Sequence, residues 1–174
     1  MDASNLQDIN VIKLVADPSK SRDVGIFGNF ITVLDRYRDF MIYDMSDSIG
    51  IELKNMVDVF ENVNLSVRLE RSENYFFASN EDSGLYVLDL EDPINPQIVG
   101  HLETEMEFTG ITIADDIAYM AEADRNQYGI RTIDISNPED PQTLSQNIQE
   151  CYYSGTMFKD GDRCYTSQDS VGNS

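Results

Sequence analysis

The chain has 174 residues, and its 32 acidic and 12 basic side chains give a formal net charge of −20. This charge argues against nucleic acid as a partner, because phosphate binding needs clusters of Lys and Arg. No apolar stretch approaches the length of about 18 residues that a membrane-spanning helix needs, and the opening residues contain no apolar run of signal-peptide length.

The predicted elements are strands throughout. Residues 6–15, which include the run INVIKLV, are predicted to form a lone outer strand. Three longer segments follow, at 23–61, 62–107 and 108–150, and each divides into four short strands separated by polar turns. The last segment, 151–174, contains two strands, SGTMF and RCYTS, so it is incomplete.

An internal repeat explains this order. In each unit an apolar strand ends in Asp, in the runs FMIYD, LYVLD and IRTID, and the interval is 45 residues. An Asp at this point can accept a hydrogen bond from the backbone two residues on, and Pro belongs in the turn that follows. The predicted structural repeat positions are Asp44, Asp89, Asp134, Gly84, Gly129, Pro93, Pro96, Pro138 and Pro141. The two Gly residues are predicted to begin the third strand of their units.

Several strands, such as 75–78 and 117–121, are apolar on both faces, which is typical of strands covered on both sides. The predicted fold is therefore all-β, with β-propeller blades of four antiparallel strands and about 45 residues per blade. Residues 1–174 would form one propeller domain or a propeller fragment, with three full blades and a split or incomplete fourth. The ring could be completed by further blades, by a homodimer, or by closure of four blades within one chain.

The runs GLYVLDLEDPINPQIVGHLET and GIRTIDISNPEDPQTL resemble LVIVD repeats. The resemblance covers residues 62–150 well and 23–61 less closely, because the turn DSIGIEL lacks both prolines. It implies a β-propeller without an assigned activity and an extracellular or cell-surface location; a cytoplasmic location is the alternative, since the chain shows no signal peptide.

Loops between the second and third strands of each unit are rich in charged, amide and aromatic side chains, and loops at one end of a propeller often carry function. The predicted binding rim consists of Asp35, Arg36, Tyr37, Glu81, Asp82, Glu122, Asp124, Arg125 and Asn126. A protein or a glycan is the expected partner. Ordinary solvated loop tips are the alternative interpretation.

No catalytic motif is recognisable, and His101 has no nucleophile motif beside it. Cys151 and Cys164 lack zinc-site spacing. A non-enzymatic binding or scaffold module is therefore the expected function, with no cofactor. The alternative is a metal-assisted, calcium-dependent hydrolase or lyase with its site at the channel mouth, because oxygen-rich loops suit Ca²⁺.

Overall fold

The computed structural model describes residues 21–35, 39–47, 50–58, 67–80, 84–124, 127–149, 154–161 and 163–168. These residues form 14 strands and no helix. The predicted lone strand at 6–15 lies outside them. Within the described ranges, no helix is long and apolar enough to cross a membrane.

The strands fall into four antiparallel sheets, three of four strands and one of two, each in chain order. The first sheet contains β1 (Ser21–Phe27), β2 (Phe30–Asp35), β3 (Asp39–Asp44) and β4 (Glu52–Asp58). The second contains β5 (Val67–Ser72), β6 (Tyr75–Asn80), β7 (Gly84–Asp89) and β8 (Gln97–Leu102). The third contains β9 (Glu107–Ala114), β10 (Ile117–Asp124), β11 (Gln127–Asp134) and β12 (Gln142–Gln149). The fourth contains β13 (Ser154–Asp160) and β14 (Arg163–Gln168). The predicted fold class is confirmed.

The core lies between successive sheets. Phe76 and Ala78 of β6 pack with Leu34 of the first sheet, whereas Phe77 packs with Met120 of the third. Because side chains alternate across a strand, one run of apolar residues covers two neighbours at once. This arrangement confirms the prediction that 75–78 is covered on both faces.

The outer strands carry a β-bulge at one repeated position. The pairing of the third and fourth strands skips one residue in each complete sheet, and the skipped residues are Lys54, Val99 and Leu144. Their spacing is the 45-residue repeat interval. Leu144 is exposed, whereas Val99 at the equivalent bulge position packs against the core cluster between the second and third sheets.

The repeated Asp residues form the expected Asx turns. The Oδ1 atoms of Asp44, Asp89 and Asp134 accept hydrogen bonds from the backbone N–H two residues on, at 2.8, 2.8 and 2.9 Å. Hydrogen bonds to the Ser46 and Ser136 side chains and N–H groups hold the pKa of Asp44 and Asp134 below its usual value.

The proline-containing turns dock on the preceding sheet. Nδ2 of Asn55 in β4 donates to the Ile94 carbonyl at 2.9 Å, in the turn before β8. Gly100 of β8 lies 45 residues after Asn55, and a Cβ atom there would be 2.0 Å from the Pro138 carbonyl oxygen in the next such turn. Each turn therefore fits one fixed position on the outer strand before it.

The two repeated Gly residues differ in position. Gly84 begins β7 with a φ of 96°, and a Cβ atom there would lie 2.0 Å from the Leu102 carbonyl oxygen, so the predicted need for Gly holds at this site. β11 begins two residues before Gly129, at Gln127, so the prediction that Gly129 begins its strand is wrong. In the third sheet the hairpin ladder simply extends farther toward its loop.

Candidate binding site at the central channel

The first strands of the sheets lie side by side around one axis. β1 contacts β5, β5 contacts β9, and β9 contacts β13. Between three of these inner strands lies a cavity of about 500 Å³. It is lined by Asp23, Val24, Arg68, Leu69, Glu70, Gly110 and Ile111. A cavity of this size in a propeller channel is a natural place for a ligand or a partner side chain.

The residues that line the cavity lie near the middle of β1, β5 and β9, and the predicted rim lies at one end of these strands. Ser21 of β1 pairs with Asp35, at the end of β2, and Val67 of β5 pairs with Asn80, at the end of β6. The beginnings of the inner strands therefore lie beside the second-to-third loops. The Asx turns follow the third strands and lie at the opposite end.

Asp23 joins the first two sheets at the wall of the cavity. Its Oδ2 accepts a hydrogen bond from the Leu69 N–H of β5 at 2.9 Å, and its Oδ1 accepts one from the Val24 N–H at 2.8 Å. A carboxylate that accepts two backbone N–H groups is held in one orientation. Asp23 therefore presents a fixed negative charge to the channel.

Glu70 is the second carboxylate of the cavity, and its side chain is half-buried. Burial raises the pKa of Glu70, and the negative charge of Asp23 raises it further. Both effects disfavour the ionised form of Glu70, so a cation in the cavity would relieve them. Arg68 supplies the positive charge at the wall, and its Nη1 donates to the Arg22 carbonyl at 3.4 Å.

Most of the predicted rim lies outside the described residues, namely Arg36, Tyr37, Glu81, Asp82, Arg125 and Asn126. The backbones of Asp35 and Asp124 end β2 and β10 beside the second-to-third loops. The rim as a binding surface stays a prediction.

The prediction that Glu122 belongs to a loop of the rim is wrong. It lies within β10 and its side chain is fully buried, so it is not an exposed loop residue. Its Oε1 accepts a hydrogen bond from Nε of Arg131, and its Oε2 accepts one from Nε2 of Gln146 at 2.8 Å. Arg131 also donates to Thr143 Oγ1 at 3.2 Å. The EADRNQYG run reads as a loop because it is polar, but β10 and β11 continue through most of it and place the carboxylate against an arginine.

Among the described residues, no group of three or more His, Cys, Asp or Glu side chains is placed to hold a metal ion. Asp23 and Glu70 are two carboxylates, whereas Ca²⁺ takes six to eight oxygen ligands. His101 stacks on Tyr86 with ring centroids 4.2 Å apart.

Sequence reasoning missed Asp23, Arg68 and Glu70. The usable signal was their position, because all three are charged residues in the first strands of repeat units, which face the axis of a propeller. The loops were predicted as the binding site because they are polar. A charged residue in an inner strand is less common than a charged residue in a loop, and is therefore the more informative signal.

The comparisons with known proteins agree with this architecture. The chain is similar to the computationally designed Ika4 protein, with a TM-score of 0.67, 13% identity and coverage of 92% of each chain. It is similar to the designed Ika8 protein, with a TM-score of 0.62, 13% identity and coverage of 85% of this chain and 42% of that one. It is also similar to the β-propeller domain of Cps50 (Swd1) from Myceliophteria thermophila, with a TM-score of 0.60, 8% identity and coverage of 79% of this chain and 46% of that one. Identities this low show the fold alone, which is that of β-propeller blades.

The repeat type follows from the sequence. The LVIVD repeat model matches residues 18–59 and 66–104, which contain the first two sheets. LVIVD repeats are therefore found in these two segments. The first unit is matched although its turn lacks the prolines. Among curated proteins there is no match.

Proposed function

We propose that this chain is a non-enzymatic binding module that recognises a protein partner in its central channel. The observation that carries the proposal is the cavity of about 500 Å³ between β1, β5 and β9, with Asp23 and Glu70 in its wall. The rim loops, at one end of the channel, would add further contacts. Propeller blades that repeat one architecture around a shaped, polar channel are suited to recognition.

The charge of the site favours a basic partner segment. Two carboxylates and one arginine line the cavity, and the arginine donates to a backbone carbonyl. The net charge of the whole chain is −20, which would steer a cationic partner toward it. A Lys or Arg side chain that enters the cavity would place its charge near Glu70, whose ionised form is disfavoured by burial and by the charge of Asp23. A neutral glycan would not gain this electrostatic attraction. An extracellular or cell-surface location remains part of the proposal.

A titration followed by nuclear magnetic resonance tests this function. The probes are acetyl-Gly-Lys-Gly-amide and, as the matched control, acetyl-Gly-Glu-Gly-amide. We expect the lysine peptide to shift the amide signals of Asp23, Glu70 and Gly110, and the glutamate peptide to leave them unchanged. Shifts caused only by a neutral oligosaccharide would favour a glycan partner and contradict the proposal, as would shifts confined to residues away from the channel.

A further inference from the structure

The carboxylates of the channel are not repeated from sheet to sheet. β1, β5 and β9 each end at a two-residue hairpin turn, so residues at the same distance before that turn are equivalent. Glu70, two residues before the end of β5, is equivalent to Gly25 of β1 and Thr112 of β9. A residue that maintains the sheet recurs in each sheet, as the Asp residues of the Asx turns do. The repeated architecture therefore does not require a carboxyl group at the position of Glu70.

Asp23, the other carboxylate of the cavity, is not repeated either. Its equivalents are Arg68 of β5 and Gly110 of β9. Hydrogen bonds from two backbone N–H groups, at 2.9 and 2.8 Å, hold its carboxylate in the cavity wall. Its negative charge therefore acts on Glu70 from a fixed position.

Glu70 differs from Asp23 in its surroundings, because its side chain is half-buried. Its charged neighbours in the cavity wall are Asp23 on β1 and Arg68 on its own strand. The β9 residues that line the cavity are uncharged, and so is Phe77, the partner of Glu70 on β6. Burial first, and the charge of Asp23 second, raise the pKa of Glu70. Glu70 is therefore the carboxylate of this pair that is suited to holding a proton in mild acid.

We propose that in mildly acidic solution the channel takes up its basic ligand in exchange for a proton, which Glu70 holds in the empty channel and releases to the buffer when a Lys or Arg side chain enters. This inference rests on the proposed function, because it concerns the same ligand in the same cavity. The bond that breaks is the O–H bond of the Glu70 carboxyl group, and the positive charge of the ligand replaces the proton beside the carboxylate. A Lys side chain is suited to the exchange, because its pKa of about 10.4 keeps it charged in mild acid.

Acid should therefore release the ligand. The proton and the ligand compete for Glu70 once pH falls through the pKa of Glu70 in the empty channel, which lies above the usual value of 4.5. At higher pH the carboxylate is already ionised, so binding does not depend on pH. The bound cation favours the ionised form, so binding lowers the pKa of Glu70 and proton release accompanies it.

Isothermal titration calorimetry of the full chain with acetyl-Gly-Lys-Gly-amide tests this coupling. Each titration is made in two buffers that differ in their enthalpy of ionisation, because the difference in heat gives the number of protons released per bound peptide. The series runs from about pH 7 to about pH 5. Glu70→Gln removes the proposed proton carrier, and Glu139→Gln, at an exposed turn position away from the channel lining, is the matched control.

We expect the wild type to release a fraction of a proton per bound peptide, with a maximum between about pH 4.5 and pH 7. Its affinity should fall about threefold or more from pH 7 to pH 5. Glu139→Gln should behave in the same way. Glu70→Gln should bind more weakly at pH 7, release no proton, and lose little further affinity in acid.

The outcomes separate this inference from the function on which it rests. Binding at pH 7 without proton release at any pH would overturn the exchange and leave the proposed function in place, as would equal proton release by the wild type and Glu70→Gln. Absence of binding at pH 7 would overturn the proposed function and the exchange together.

Discussion

At the scale of single residues, Glu122 and Arg131 form a buried ion pair across β10 and β11, with Gln146 as a second donor to the carboxylate. A buried pair contributes little net stability when intact, because both charges lose their hydration. Removing one partner is costly, because the other charge stays buried. The pair and Gln146 therefore join β10, β11 and β12 within the third sheet.

Glu122→Gln tests this interpretation. We expect the free energy of unfolding to fall by about 3 kcal/mol, because Arg131 would lose its counter-charge while it stays largely buried. The measurement is urea denaturation, and the control is Glu139→Gln at an exposed turn position, which should change stability by less than about 0.5 kcal/mol. Equal effects of the two substitutions would show that the buried pair is unimportant.

Glu70 gives stability a dependence on pH. Because the pKa of Glu70 is raised, the folded state favours the protonated carboxyl group. The stability that this preference contributes is fully present below 4.5, the usual pKa of Glu, and is lost as pH rises through the pKa of the folded state. Glu70→Gln removes the charge without changing the shape of the side chain.

We therefore expect Glu70→Gln to be more stable than the wild type at pH 7, and the difference to shrink as pH falls toward 4. Thermal denaturation at both pH values measures the effect. A variant that is less stable than the wild type at pH 7 would show that the ionised carboxylate is stabilised by contacts of its own.

At the scale of elements, the Asx turns close each third strand, and the N–H after each Asp reaches back to the first hairpin. The Met45, Leu90 and Ile135 N–H groups donate to the Asn29, Asn74 and Asp116 carbonyls at 2.8, 2.9 and 2.9 Å. The turn between the third and fourth strands is thus joined to the turn between the first and second in every complete sheet.

Asp134→Ala should destabilise the third sheet, because the Ser136 N–H loses its acceptor, whereas Asp134→Asn should retain most of the stability, because an amide oxygen can accept the same bond. The denaturation midpoint of the wild type should also fall in acid, since a lowered pKa gives stability that is lost as pH falls through the folded-state value. If the Ala and Asn variants have equal midpoints, the Asx bond does not matter.

Gly100→Ala tests the docking of the proline turn on the sheet before it. The added Cβ atom would be 2.0 Å from the Pro138 carbonyl oxygen, so the third sheet would have to shift, at a cost of about 1–3 kcal/mol. Ser145→Ala is the control, because Ser145 holds the equivalent place, 45 residues later, on the exposed β12, where the substitution removes only an exposed hydrogen bond to Thr132 Oγ1 at 2.8 Å. Urea denaturation should separate the two variants, and a neutral Gly100→Ala would mean that the turn does not dock closely in solution.

At the scale of the whole molecule, the fold was largely predictable from the repeat. The 45-residue interval locates the strands, the Asx turns and the two-sided core, because these features recur once per sheet. Glu122 was mistaken for a loop residue because strand length is a tertiary property: the hairpin continues where the neighbouring strand offers hydrogen bonds. The channel residues were missed because no single repeat shows which strands meet at the axis.

The proposed binding of basic segments in the channel depends on Asp23 and Glu70. The most direct measurement is the affinity of a lysine-containing peptide for the wild type and for Glu70→Gln, by isothermal titration calorimetry at low and high salt. We expect the substitution to weaken binding about tenfold or more at low salt, and high salt to reduce the difference. Equal affinities of the two proteins, or binding that does not respond to salt, would contradict the account.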